Sequence, residues 1–214
     1  MVDSFAPGLE APALNADYET CLDYANEFER VAALPHPDLL ANMPEFASVT
    51  SSTEVIRGID GNDIKLFIHR PTNMDGPLPC IVHIHGGGMV IMTAEDPDYI
   101  RWRNSLAEAG VVVVGVEYRN GGGRLGPHPF PAGLNDCASA VKWVDQNRSS
   151  LSISNIVVSG ESGGGNLSLA TTLKAKQDGW LDVISGVYAM CPYISGSYAN
   201  PPAELPSLCE NDGY

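Results

Sequence analysis

Between Thr53 and Met190 short apolar runs alternate with stretches of helical spacing, and that alternation restricts the chain to a mostly parallel sheet with helices on both faces. Cys80 to Ile84, Val111 to Val116, Ile156 to Ser159 and Val183 to Met190 read as strands. The intervening helices are predicted over 97–109, closed by Gly110, over the stretch carrying Leu134, Cys137, Ala138, Val141 and Val144, and from about Ser162 to Lys176. Parallel neighbours joined through helices imply right-handed crossovers. Glu54 to Arg57 and Ile64 to Arg70, joined through Asp60-Gly61-Asn62-Asp63, read as a hairpin that adds an antiparallel edge.

The first fifty residues have a different pattern. Leu22, Ala25, Phe28 and Ala32 lie at helical spacing within 15–34, and Pro35, Pro37 and Pro44 break up the stretch between that helix and residue 50. This organisation predicts a small helical arm or cap over 1–50 and an α/β catalytic domain over 51–214.

The chemistry concentrates at Gly160-Glu161-Ser162-Gly163-Gly164, directly after one predicted strand and directly before a predicted helix. A G-x-S-x-G at such a junction forms a nucleophile elbow, a tight turn in which flanking glycines let strand and helix approach without Cβ clashes. The serine hydroxyl then projects above the sheet. The helix N-terminus beneath it offers backbone N–H groups and a positive dipole end to a developing oxyanion. A second glycine cluster, His85-Gly86-Gly87-Gly88, comes after the strand that ends at Ile84 and is of the H-G-G-G type that donates backbone N–H groups to an oxyanion. His85 is expected to shape that loop by hydrogen bonding.

Other chemistries fit these residues less well. The glycine run lacks both the G-x-x-x-x-G-K-[ST] of a phosphate loop and a helix-opening G-x-G-x-x-G with its downstream acid, which disfavours nucleotide binding. His83 and His85 share one strand face, but no H-E-x-x-H and no carboxylate cluster accompanies them, so no metal is expected. Gly121 to Gly123 reads as a loop at a strand end. The net charge of -14 disfavours nucleic acid as a partner. Nine carboxylates against Arg30 in the first fifty residues read as a solvated acidic surface. The longest apolar run stops at Glu117, too short for a membrane span, and the N-terminus lacks the pattern of a secretory signal, so a cytoplasmic location is expected. Five irregularly spaced cysteines read as buried free thiols.

At His83-Ile84-His85-Gly86-Gly87-Gly88-Met89, at His128-Pro129-Phe130-Pro131 with Asp136-Cys137, and at Gly160 through Asn166 the sequence resembles the hormone-sensitive-lipase-like branch of the α/β-hydrolases. Gly186 to Ala189, Tyr193 to Gly196, Leu205 to Leu208 and Asp212 to Tyr214 extend the resemblance, which covers most of 53–214. It implies an α/β-hydrolase fold and an esterase without metal or organic cofactor. In such an enzyme Ser162 would attack the carbonyl of a small-molecule ester or lactone, and Gly87, Gly88 and Gly163 would donate to the oxyanion, with Gly86 and His85 in support. The helical arm matches the position of the family's cap.

The sequence departs from that family in one respect that bears on catalysis. The triad of this fold runs serine, acid, histidine along the chain, whereas His36, His69, His83, His85 and His128 all precede Ser162. A serine hydroxyl without an adjacent base is a poor nucleophile. His128 belongs to a segment that looks structural. The expectation is therefore a hydrolase fold truncated at its C-terminus, inactive by itself, with an uncovered sheet edge that favours self-association. The competing reading is a catalytically silent protein that uses the same pocket to bind a small ligand.

Overall fold

The computed structural model describes residues 8–13, 15–31 and 43–194. In chain order the elements are α1 (Tyr18–Val31), β1 (Val49–Arg57), β2 (Asp63–Pro71), β3 (Leu78–Ile84), α2 (Pro97–Glu108), β4 (Val112–Val116), α3 (Ala132–Gln146), the single turn α4 (Arg148–Leu151), β5 (Ile153–Glu161), α5 (Gly163–Gln177) and β6 (Gly186–Met190). They form one six-stranded sheet in the order β1-β2-β4-β3-β5-β6. β2 pairs antiparallel with both β1 and β4, and β4, β3, β5 and β6 run parallel. This is the mostly parallel sheet with an antiparallel edge hairpin that the alternation predicts.

Strand β4, Val112-Val113-Val114-Gly115-Val116, is buried throughout, as a central parallel strand covered on both faces must be. The period of two sorts its neighbours into different layers. Cys80, Val82 and Ile84 of β3, with Val112, Val114 and Val116 of β4 and Ile156 and Val158 of β5, join Cys137, Ala140, Val141 and Val144 of α3 and Leu167 of α5 in one apolar core. The alternate residues carry polar groups: His69, His83, His85 and Ser159 are buried, and Arg103 of α2 reaches in among them. A Cβ on Gly115 would stand 2.8 Å from the Arg103 Cδ and Nε, so the glycine in β4 makes room for this guanidinium.

Some expectations shift at their boundaries. β1 starts at Val49 rather than Glu54, because Val49 to Thr53 pair with Pro71 to Phe67 although their side chains bury no apolar face. β6 starts at Gly186, and Leu181–Val183 form a 3-10 turn instead of its first residues. Residues 32–34 of the first helix lie outside the described residues. The cysteines divide: Cys80 and Cys137 are buried in the core, whereas Cys21 on α1 and Cys191 after β6 are exposed free thiols, which corrects the expectation that all are buried. Cys209 lies outside the described residues.

Candidate active site

The C-terminal ends of β3 and β5 lie side by side in register, with His83 opposite Ser159 and Ile84 opposite Gly160. The loop after β3 and the turn after β5 are therefore adjacent. In that turn Ser162 has φ 54° and ψ −117°, a sparsely populated conformation for a residue with a side chain. Its backbone is tied on both sides: its N–H donates to Met190 O at 3.0 Å, and its carbonyl accepts from Asn166 and Tyr193 N–H at 3.0 and 3.1 Å. Such over-determination is what lets strain of this kind persist. Ser162 is partly exposed, and α5 begins at the next residue.

The glycines around it are dictated by close approach. A Cβ on Gly160 or Gly164 would overlap the Ile84 carbonyl, and one on Gly163 would stand 2.7 Å from Met89 N and 2.8 Å from Gly88 Cα. Gly163 is thus pressed against the loop after β3. Gly86 also lies close to the serine, where a Cβ would come 3.6 Å from the Ser162 Cβ. Gly87, Gly88 and Met89 all have positive φ, at 92°, 63° and 65°. Glycine adopts this left-handed region without the cost that a Cβ imposes. Gly163 and Gly88 are thus in close contact, with Gly87 next to Gly88 in the same loop.

His85 supports this loop. It is fully buried, its ring stacks on Tyr118 at 4.2 Å, and its Nδ1 lies 2.9 Å from the Gly86 carbonyl. A carbonyl can only accept, so Nδ1 carries the proton and Nε2 is left as an acceptor. Burial drives the His85 pKa down to about 3, so the ring is neutral. The Tyr118 hydroxyl donates to His85 O and Gly86 O at 2.9 and 3.1 Å.

Several supporting residues were not singled out from sequence. Glu161 stands in the variable position of G-x-S-x-G, yet its Oε1 accepts the Gly86 N–H at 2.9 Å and its Oε2 lies 3.1 Å from His83 Nε2. Arg103 donates from Nε to His69 Nε2 at 3.0 Å, which leaves His69 Nδ1 to donate to Asn104 Oδ1 at 2.7 Å. Burial lowers the His69 pKa to about 4 and the Arg103 pKa to about 10. Glu117, just past β4, sits with Oε1 3.8 Å from His85 Nε2 and accepts the Ala94 N–H at 2.8 Å. Burial raises its pKa to about 7. A carboxylate at the end of one strand and histidines two residues apart on its neighbour were the available signal. Assigning them needed the strand order.

His128 stands apart from Ser162: its side chain is exposed beside a hollow shared with Lys65, Glu117 and Arg124, and its N–H donates to Asn120 O at 2.8 Å. Gly121 and Gly122 donate to Met89 O and Val90 O at 2.8 and 3.0 Å, so the loop after β4 backs the loop after β3. Among the described residues no group of three histidine, cysteine or acidic side chains could hold a metal ion, and no helix is long and apolar enough to cross a membrane.

A strained serine between two facing glycine loops can accept a carbonyl carbon at its hydroxyl and a carbonyl oxygen at backbone donors. Known proteins with similar chains carry matching names. The alpha/beta hydrolase fold family is matched over residues 81–211. The chain is similar to brefeldin A esterase, a bacterial homologue of human hormone sensitive lipase, with 45% identity and a TM-score of 0.82 over 100% of this chain and 60% of that one. It is 32% identical over 170 residues to tuliposide A-converting enzyme 2, chloroplastic, of Tulipa gesneriana, covering 72% of this chain and 42% of that protein. It is 33% identical over 144 residues to carboxylesterase NlhH of Mycobacterium tuberculosis, covering 65% of this chain and 43% of that protein. The chain spans less than half the length of these two curated relatives. By sequence, fold and the geometry of its serine turn, it belongs to the α/β-hydrolase family, in the hormone-sensitive-lipase-like branch.

Proposed function

We propose that Ser162 is the nucleophile of a carboxylic ester hydrolase, acting on a small-molecule ester or lactone without metal or organic cofactor. The observation that carries this reading is the positive φ of Ser162 in a turn whose next residue, Gly163, abuts Gly88 and Met89. The Ser162 Oγ forms a bond to the carbonyl carbon while the carbonyl electron pair moves onto oxygen, where Gly87, Gly88 and Gly163 N–H groups receive it. Collapse of that adduct breaks the bond to the alcohol oxygen, which leaves with the proton taken from the serine. Water then adds to the acyl-enzyme and releases the carboxylic acid. His85 and Gly86 shape the donor loop.

The serine proton needs a base, and no histidine follows Ser162 in the sequence. The acid and histidine of the triad are proposed to be supplied from outside these 214 residues, so that this chain by itself turns over slowly or not at all. Residues 1–50 are proposed as the cap and 51–214 as the hydrolase portion.

Stoichiometric labelling of Ser162 by a fluorophosphonate, lost in Ser162→Ala, is the expected result for the chain together with its base. No labelling of that folded protein would overturn the reading. A second reading, to which the lack of a histidine after Ser162 within these residues points, is a silent small-molecule binder. Calorimetric binding of an ester or lactone with no turnover by the chain with its base would establish it instead.

A further inference from the structure

We propose that Glu29 is a positioning residue for the oxyanion loop, through which helix α1 fixes the donors opposite Ser162 without supplying a catalytic group. The inference rests on the esterase reading. The Glu29 side chain is 7% exposed, although it belongs to a helix with no fully buried residue. Its carboxylate is spent on two loops at once. Oε1 accepts the N–H of Met92 at 2.6 Å, at the end of the loop after β3, and Oε2 accepts the N–H of Arg124 at 2.6 Å, in the loop after β4. The Arg124 guanidinium closes on the same carboxylate at 3.3 Å, and Asn26, one helical turn earlier, accepts the Gly123 N–H at 2.9 Å.

The segment so gripped leads directly to the donors. Val90 and Ile91 N–H both return to Gly87 O at 3.0 Å, so 87–91 is one closed turn that ends at Met92. Met92 has φ 72°, and its carbonyl accepts from Asn120 Nδ2 at 2.7 Å. With Gly121 and Gly122 bonded to Met89 O and Val90 O, the turn is clamped between the loop after β4 and α1. Only a carboxylate can complete the clamp, because both backbone groups facing it are donors. A Glu29→Gln side chain keeps the shape but sets its amide N–H₂ against one of them.

The experiment compares wild type, Glu29→Gln, Glu29→Ala and the exposed control Asp23→Asn, in the full chain together with its base. Amide hydrogen exchange is expected to show lost protection at 86–92 and at Arg124 in both Glu29 variants, with Val82 and Val114 unchanged. The second-order rate of Ser162 phosphonylation is expected to fall about tenfold or more, and ester turnover to lose kcat with little change in KM, as displaced donors require. Asp23→Asn should match wild type. Unchanged protection at 86–92 in Glu29→Ala, or lost protection with an unchanged labelling rate, overturns the proposal. A wild type that does not label at Ser162 defeats the esterase reading and the positioning role with it, whereas a labelling wild type with insensitive Glu29 variants defeats only the positioning role.

Discussion

The Glu161 carboxylate joins the serine turn to the loop it faces: Oε1 accepts the Gly86 N–H at 2.9 Å and Oε2 meets His83 Nε2 at 3.1 Å. Glu161→Ala leaves both donors without a partner in a buried setting, at about 1–3 kcal/mol each. Glu161→Gln keeps an acceptor for Gly86, and His83 can meet the amide N–H₂ by moving its proton to Nδ1, although that buried nitrogen has no acceptor for it. We expect phosphonylation of Ser162 to fall about tenfold or more in the alanine variant and to recover most of its rate in the glutamine variant. An alanine variant that labels at the wild-type rate would show that Gly86 needs no such anchor.

Three glycines of the site should respond differently to one added methyl group. Gly164→Ala drives a Cβ into the carbonyls of Ile84 and His85, inside the strand-helix junction, and should abolish folding. Gly163→Ala meets Met89 N at 2.7 Å and Gly88 Cα at 2.8 Å, backbone atoms of the clamped turn outside the strand-helix junction, so the turn must be displaced at a cost in stability and labelling of Ser162 should be lost while the sheet still forms. Gly88→Ala has open space around its Cβ and only the cost of φ 63°, about 1–2 kcal/mol. Circular dichroism melting alongside labelling checks the series. Equal behaviour of Gly163→Ala and Gly88→Ala would contradict the close approach of the two loops.

The buried ionisable groups set a pH dependence of opposite sign on its two sides. Glu117 has its pKa raised from 4.5 to about 7, so an unfolded chain releases the proton at lower pH than the folded one. Its contribution is fully present below 4.5 and is lost as pH rises to about 7, worth about 3 kcal/mol. His85 and His69 have lowered values of about 3 and 4, so their contributions are present above 6.5 and are lost as pH falls toward those values. Glu117→Gln should therefore stabilise the protein against urea at pH 8 and match wild type at pH 4. The same stability at both pH values relative to wild type would exclude Glu117 as the titrating group.

The parts of this site that were legible in the sequence are the local ones. The serine turn, the glycine loop and the strands that carry them are contiguous signals, and each is found at its expected element. The supports are not contiguous. Glu161 meets Gly86 because β3 and β5 are neighbours in the sheet, and the order β4-β3-β5 is fixed by tertiary packing rather than by chain sequence. Glu29 reads as one more acid on a polar helix until the loops it grips are brought to it. Arg103 carries no signal of its own within the predicted helix 97–109, and it is Gly115 on the neighbouring strand that opens the space that buries it. The polar face of β1 hid its first residues, because an edge strand held by backbone pairing needs no apolar alternation.

Among the described residues β6 pairs only with β5, and successive residues on it, Val187 and Tyr188, are 36% and 58% exposed, so both faces present apolar groups beside an open row of backbone donors and acceptors. Leu173 of α5 at 61% and Ile194 at 64% add to the exposed apolar surface. An open strand edge of this kind pairs with another copy unless something blocks it. The 214-residue chain should show concentration-dependent association by sedimentation velocity. Charges on both faces of the strand, Val187→Lys with Tyr188→Lys, should return it toward monomer, because a like pair on each copy would then meet across the new seam. If the wild-type chain stays monomeric at high concentration, or if the doubly charged variant associates as strongly, β6 is not the seam.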